Sequence, residues 1–411
     1  MKGFVKLIAV VVTAAAFAVS CSKDKDSGAV SFDKPAVFID APSGMATVGF
    51  TLRNIKTLSV TSQPTGWDEP MLDQTTGMLT VIAPSATALE KGTAVESGTV
   101  VLAGVTPGGT SVSGVLFVGV VKTVDLSAAG VANSYMASVK ETNYLFDVMH
   151  KGDGSPLATD HLGVIWKSAS GLVQYLQMEN GKASFYIGAD TEDSNKILKG
   201  NAVIGAYDAN DELIWSWHVW VTDAPQTMTY GNGTVFMDRN LGAAGTTAGG
   251  TDAYGMYYQW GRKDPFYGGE KTETSANAFL EAKNGTVVNP AYPALDWAFS
   301  KSATTTDGAA ANPMTFYNDK VGTGYNWLAS PNATLWGEAK TLNDPCPPGY
   351  RVPETGAWED LISGRQYIDG VSVWDGTNYG MTYTHGGQTA WYPAQGYRNY
   401  SSGAIVGLRS S

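Results

Sequence analysis

The chain has 411 residues, a net charge of −11 and only 16% charged side chains, with 48 Gly, 12 Trp and 20 Tyr. Aromatic content this high excludes an ordinary disordered chain, and the mix lacks the Ala, Glu, Lys, Leu and Arg excess of a coiled coil. The acidity, with no basic cluster to offset it, excludes nucleic acid as a partner.

Taken in chain order, the first 21 residues read MKGFVKLIAVVVTAAAFAVSC. Lys2 and Lys6 form a positive start, and Leu7 to Val19 form an apolar run. That run falls short of the roughly 20 residues a bilayer span needs and suits a signal-peptide core. Small residues lead into Cys21, as in a bacterial lipobox, so Cys21 is the expected lipid attachment site after removal of residues 1–20. Without Lys2 and Lys6 the side chains sum to −13. Residues 21–28 form a polar tether, and its acidic Ser-Lys-Asp-Lys-Asp resembles the signal that exposes Bacteroidetes lipoproteins on the outer membrane. No later segment is long and apolar enough to span a membrane, so the expected anchor is lipid alone.

Residues 29–121 hold short strand-like runs between turn residues: Ala36–Ile39, Thr47–Leu52, Leu58–Thr61, Met78–Ile82, Thr99–Val105 and Val112–Val120. Their number and spacing predict an immunoglobulin-like β-sandwich. Pro64-Thr65-Gly66-Trp67 resembles the P-x-G-W element of small Ig-like modules in Bacteroidetes surface proteins, with Trp67 as a core plug. Residues 122–224 predict a second β-sandwich. Its closing run, Leu213 to Val221, puts Leu213, Trp215, Trp217, Val219 and Val221 on one face, which should be buried. Ile214, Ser216, His218 and Trp220 share the other, where His218 is read as a hydrogen-bonded residue on a half-buried face.

Residues 225–411 are rich in Gly, Asn, Trp and Tyr and predict an α+β, loop-rich domain. Thr355 to Gly364 reads as its helix: Thr355 caps it, Glu359 and Asp360 favour its first half, Gly364 stops it. Trp358, Leu361 and Ile362, spaced i, i+3, i+4, would share a buried face.

Four motifs occur here in order: Phe236-Met237-Asp238-Arg239-Asn240-Leu241-Gly242-Ala243, Tyr254-Gly255-Met256-Tyr257-Tyr258-Gln259-Trp260-Gly261-Arg262-Lys263-Asp264-Pro265, Asn343-Asp344-Pro345-Cys346-Pro347-Pro348-Gly349-Tyr350-Arg351-Val352-Pro353, and Trp391-Tyr392-Pro393-Ala394-Gln395-Gly396-Tyr397-Arg398. Together they resemble the Fibrobacter succinogenes major paralogous domain, over Thr234 to about Gly407. The resemblance implies a fold related to C-type lectins and formylglycine-generating enzymes, within a surface lipoprotein similar to fimbria-associated ones. Relatives run further past the last motif and often carry a late Cys, and an Ala-Asn-Cys-Tyr where this chain has Ala132-Asn133-Ser134-Tyr135. On that comparison Cys346 is expected to be a free thiol, and the domain's sheet to be incomplete at its C-terminus with an unpaired edge.

Chemistry is sparse. No carboxylate spacing singles out a glycosidase pair, no Gly-x-Ser-x-Gly elbow stands out, and two Cys and four His without CxxC or HExxH leave no expected metal or cofactor. The acid-Pro-Asn and Trp-Asn-Asp elements of calcium-dependent lectins have only loose echoes in Ser330-Pro331-Asn332 and Tyr317-Asn318-Asp319. Trp374, Asp375, Asn378 and Tyr379 form the first candidate ligand-binding loop, because an aromatic face stacks on sugar C–H groups while Asp and Asn meet hydroxyls. Trp327 is a second candidate. The expectation is a non-enzymatic, lipid-anchored outer-membrane protein that recognises a glycan or a protein. A structural fimbrial subunit and a polysaccharide-processing enzyme stand as the alternatives.

Overall fold

The computed structural model describes residues 27–169, 171–267, 298–319, 324–359, 361–363, 366–367, 371–401, 403 and 405–407. Cys21 and the tether up to Asp26 lie outside them. The chain is mostly β, as expected. Eight strands form the first sandwich: β1 (Ala29–Phe32), β2 (Ala36–Ile39), β3 (Met45–Arg53), β4 (Thr57–Ser62), β5 (Met71–Asp73), β6 (Met78–Ile82), β7 (Ser97–Val105) and β8 (Ser111–Val120). One sheet runs β1-β3-β6-β5 and the other β2-β8-β7-β4. Asp33-Lys34-Pro35 carries the chain from one sheet to the other, where β2 joins β8 in parallel. Alternating Val48, Phe50, Leu79, Val81, Val100, Leu102, Leu116 and Val118 fill the space between. Trp67 is buried among them, its indole donating to the Val95 carbonyl at 2.9 Å. Gly66 before it has φ +78°, and a Cβ there would meet Ala94 at 2.4 Å, so this turn needs glycine.

The second sandwich repeats the strand order with β9 (Lys122–Asp125), β10 (Ser134–Ala137), β11 (Thr142–Asp147), β12 (His161–Lys167), β13 (Gln174–Glu179), β14 (Lys182–Ile187), β15 (Gly200–Tyr207) and β16 (Leu213–Val221). Its sheets run β13-β14-β11-β9 and β10-β16-β15-β12. One strand departs from the repeat: β9 runs parallel to β11, whereas β1 is antiparallel to β3. Phe117 of the first sandwich stacks on Tyr175 of the second at 4.4 Å between ring centroids, with Phe38 and Tyr186 beside them.

The rest of the chain has short strands: β17 (Thr227–Thr229), β18 (Val235–Met237), β19 (Ala298–Ser300), β20 (Thr315–Tyr317), β21 (Ile362–Ser363), β22 (Gln366–Tyr367), β23 (Ser372–Asp375), β24 (Gly380–His385), β25 (Gln388–Pro393), β26 (Tyr397–Arg398) and β27 (Ile405–Val406). The three-stranded sheet β23-β24-β25 has no further strand at either edge among the described residues, and β26 pairs with β27 instead. The helix expected over Thr355–Gly364 is absent from its described residues. Successive turns take its place, with Ala357 N–H donating to the Glu354 carbonyl and Glu359 N–H to that of Gly356. The reason lies at Gly356, whose φ of +90° breaks a right-handed helix one residue after the expected cap. Trp358 and Leu361 still reach a common cluster with Met228, Tyr230, Phe236 and Tyr383.

The second sandwich and the third segment share a buried seam. It covers the face of β16 that carries Ser216, His218 and Trp220, all buried rather than half-buried. Trp220 donates its indole N–H to the Ala243 carbonyl at 3.0 Å, and Asn201 its amide to that of Gly242 at 2.8 Å. Asn133 donates to the carbonyls of Leu342 and Asp344. Arg239 grips Asp238 through Nε at 2.8 Å and Nη2 at 3.2 Å, and its Nη1 donates to Thr222. Buried Lys263 donates to the Ser216 carbonyl at 3.0 Å and hydroxyl at 2.6 Å and to Asp264 at 2.5 Å. Lys263 and Asp264 therefore clamp the two segments together through Ser216, the buried ammonium paired with the Asp264 carboxylate as burial demands.

Candidate functional site

The sequence-predicted loop folds as the turn between β23 and β24. Asp375 accepts from the backbone N–H groups of Thr377 and Asn378, both at 3.0 Å, and from the Asn378 amide at 2.7 Å. Those bonds, the one from the Asn378 side chain foremost, hold its carboxyl below the ordinary carboxylate range. Asp375 and Asn378 thus spend their polar atoms on their own turn. Trp374 is half-buried and Tyr379 is exposed. Trp327, the second candidate, is 4% exposed, packed with Ala309 and Leu328 and donating its indole N–H to the Trp260 carbonyl at 2.7 Å.

Trp327 lines a cleft of about 540 Å³ whose other residues the sequence reading had not singled out as ligand contacts. Five aromatic side chains are exposed among the described residues: Trp260, Tyr325, Tyr379, Tyr397 and Tyr400. Four of these five line this one cleft, at 58% (Trp260), 43% (Tyr325), 58% (Tyr397) and 48% (Tyr400) exposure. Each is held from behind. The Trp260 ring meets Trp336 edge-on at 4.9 Å. Tyr325 adopts φ +71° directly after Gly324 at +68°, and its N–H donates to the Asp319 carbonyl at 2.8 Å. A bulky residue in the left-handed region is strained, and such strain gathers where a side chain must be presented. The strained Tyr325 lies 4.2 Å from the Tyr400 ring. Tyr400 is fixed in turn by the Asn318 amide on its carbonyl, and Tyr397 sits in β26, paired to Val406.

The polar lining is uncharged apart from Arg398, whose guanidinium donates to the Gly403 carbonyl at 2.8 Å and to that of Tyr267. No Asp or Glu lines the cleft among the described residues. Amides from Gln259, Asn326, Asn332 and Gln395 complete it. A larger groove of about 660 Å³ runs past Phe236, Trp358 and Tyr392, but its rings pack on one another, Phe236 on Trp358 at 4.2 Å, and none is exposed. Cys346 at its base is buried and free of any disulfide, and burial pushes its thiol well above the ordinary range. Among the described residues there is no cluster of His, Cys, Asp and Glu fit to hold a metal, and no helix long and apolar enough to cross a membrane.

No family model and no curated protein matches the chain. Solved structures give faint likenesses. The SGBP-B protein of the Bacteroides ovatus mixed-linkage glucan utilization locus, in complex with a mixed-linkage heptasaccharide, is 10% identical with a TM-score of 0.14, over 48% of this chain and 46% of that one. The Yersinia pseudotuberculosis adhesin InvE is 12% identical with a TM-score of 0.16, over 68% and 88%. Mouse clustered protocadherin PcdhgC3 EC1-3 is 16% identical with a TM-score of 0.18, over 48% and 68%. The chain thus spans about half of the glucan-locus protein, and likeness this low carries no argument about its function.

Proposed function

We propose that this protein is a non-enzymatic recognition module of the cell surface, anchored in the outer membrane through lipid on Cys21, and that the Trp260 cleft binds a glycan. The observation that carries the reading is the gathering of four of the five exposed aromatics at one cleft. Water-facing rings are costly unless they meet a partner, and sugars offer apolar C–H faces to stack on them. The cleft lies within the size range of ligand sites. Among the described residues the lining holds no carboxylate, which supports binding over hydrolysis, since glycoside cleavage uses a facing carboxylate pair. The two sandwiches then serve as a spacer that lifts the cleft from the membrane.

A glycan array probed with the purified protein tests this. The wild-type protein retains a glycan, Trp260→Ala weakens that binding at least tenfold, as for an interface anchor, and Tyr379→Ala leaves it unchanged. Failure of the folded protein to retain any glycan, or equal loss in both variants, overturns the reading.

A further inference from the structure

The hydrogen bonds around the cleft fix which way its amides face. Gln395 Oε1 accepts from the Gly255 backbone N–H at 2.8 Å and from Asn240 Nδ2 at 3.0 Å. A backbone N–H can only donate, so the oxygen of Gln395 is the atom turned inward and its NH₂ is the atom left over. Asn332 repeats the arrangement: its Oδ1 accepts from the Thr334 N–H at 2.9 Å and hydroxyl at 2.8 Å. Neither NH₂ group has a partner among the described residues, and both residues line the cleft. Gln259 is spent, accepting from Arg262 and Tyr317 and donating to the Tyr317 carbonyl. The Tyr257 hydroxyl is spent on the Gln395 carbonyl. The fixed polar display therefore consists of neutral donors beside exposed rings.

Resting on the glycan reading above, the geometry points to an acetamido sugar as the unit this cleft selects. Its carbonyl accepts two N–H bonds, its methyl lies against an aromatic face, and the group carries no charge. A uronate would bring a carboxylate whose countercharge in the lining is Arg398, a guanidinium already turned to two carbonyls and lying over the Tyr257 and Phe266 rings. An amino sugar would bring a cation to a donor surface that has no acid among the described residues. A plain hydroxyl accepts as well but offers no methyl.

Calorimetric titration of the full chain tests this with β-1,4-linked hexamers of N-acetylglucosamine, glucosamine and glucose, and with an oligogalacturonate. The acetylated hexamer binds at least tenfold tighter than each of the other three. Gln395→Glu keeps the acceptor for Gly255 and Asn240 but trades NH₂ for oxygen, and it cuts the acetamido preference at least fivefold at an unchanged melting temperature. The exposed Asn332→Asp gives a second, smaller loss should Gln395→Glu unfold. Equal binding of the glucose and N-acetylglucosamine hexamers overturns this inference and leaves the glycan reading standing. Absence of binding by all four ligands to folded protein overturns this inference, and the glycan array then decides the glycan reading separately.

Discussion

β7 and β8 of the first sandwich hold the same places as β15 and β16 of the second, yet their surroundings differ. In β8 the side chains alternate, with Leu116 and Val118 buried and Val115 exposed. In β16 both faces are buried from Trp215 to Val221. An antiparallel sheet with one wet face reads as alternation, and one covered on both faces reads as a continuous apolar run. The difference lies in what is docked outside: solvent along much of β8, and the seam of residues 239–264 and 342–344 along β16. The burial of a strand's second face is thus evidence about a neighbour, and here the neighbour is the segment that carries the cleft.

The sharpest way to break this comparison is to truncate matched outward positions. Trp220→Ala removes a wholly buried indole and its bond to Ala243, and should cost about 3–5 kcal/mol, as for other buried Trp truncations. Val115→Ala, on the exposed face of β8, should stay within about 0.5 kcal/mol. Denaturant unfolding measures both. Similar costs at the two sites would show that the second face of β16 is not covered as described.

A pH scan sharpens the same contrast. His218 is buried, its Nε2 donating to Asn201 Oδ1 at 2.8 Å and its Nδ1 accepting from Ser134 at 3.3 Å. The Asn201 amide nitrogen already donates to Gly242, so its oxygen is the acceptor and the imidazole proton sits on Nε2. Burial lowers the His218 pKa to about 3. The unfolded chain then binds the proton that the folded chain refuses, between the ordinary value of about 6.5 and about 3. His218 costs nothing at pH 7.5. Below about 6.5 it should cost about 1.4 kcal/mol for each unit of fall. His218→Gln should flatten that part of the stability curve, and an unchanged slope in the variant would remove His218 as its source.

Much of the fold was legible because strands announce themselves locally. The strand-like run Val112–Val120 and the Pro64–Trp67 turn each depend on a few neighbouring residues. The face of β16 was legible in its pattern but its burial was underestimated, because Ser216 and His218 look like solvent residues until Lys263 and Asn201 are brought to them. The missing helix shows the opposite failure: Trp358 and Leu361 have helical spacing, while a single glycine with positive φ decides the backbone. Of the cleft, only Trp327 was legible. Trp260, Tyr325, Tyr397 and Tyr400 lie up to 140 residues apart, and only the chain's return past residue 395 brings them together. Gln395 sat in a motif read only for its family resemblance, and its role depends on which of its atoms Gly255 and Asn240 occupy.

The smallest effect separates the sequence's first candidate from the cleft. Asp375 has the same outward signature as a sugar-binding acid, an aspartate between aromatics in a Gly-containing loop. Its oxygens, however, are bound by Thr377 and Asn378. A turn of this kind loses a few local hydrogen bonds when the carboxylate is removed and loses no surface that a ligand would touch. Asp375→Ala should therefore lower the melting temperature slightly and leave glycan binding as it was. Because its pKa is held low in the folded state, the stability Asp375 gives is fully present above the ordinary carboxylate pKa. It is lost as pH falls through its own lower value, so the melting difference between wild type and variant should close in acid. A variant that melts like the wild type at pH 7 but loses glycan affinity would place the ligand at the β23–β24 turn and not in the cleft.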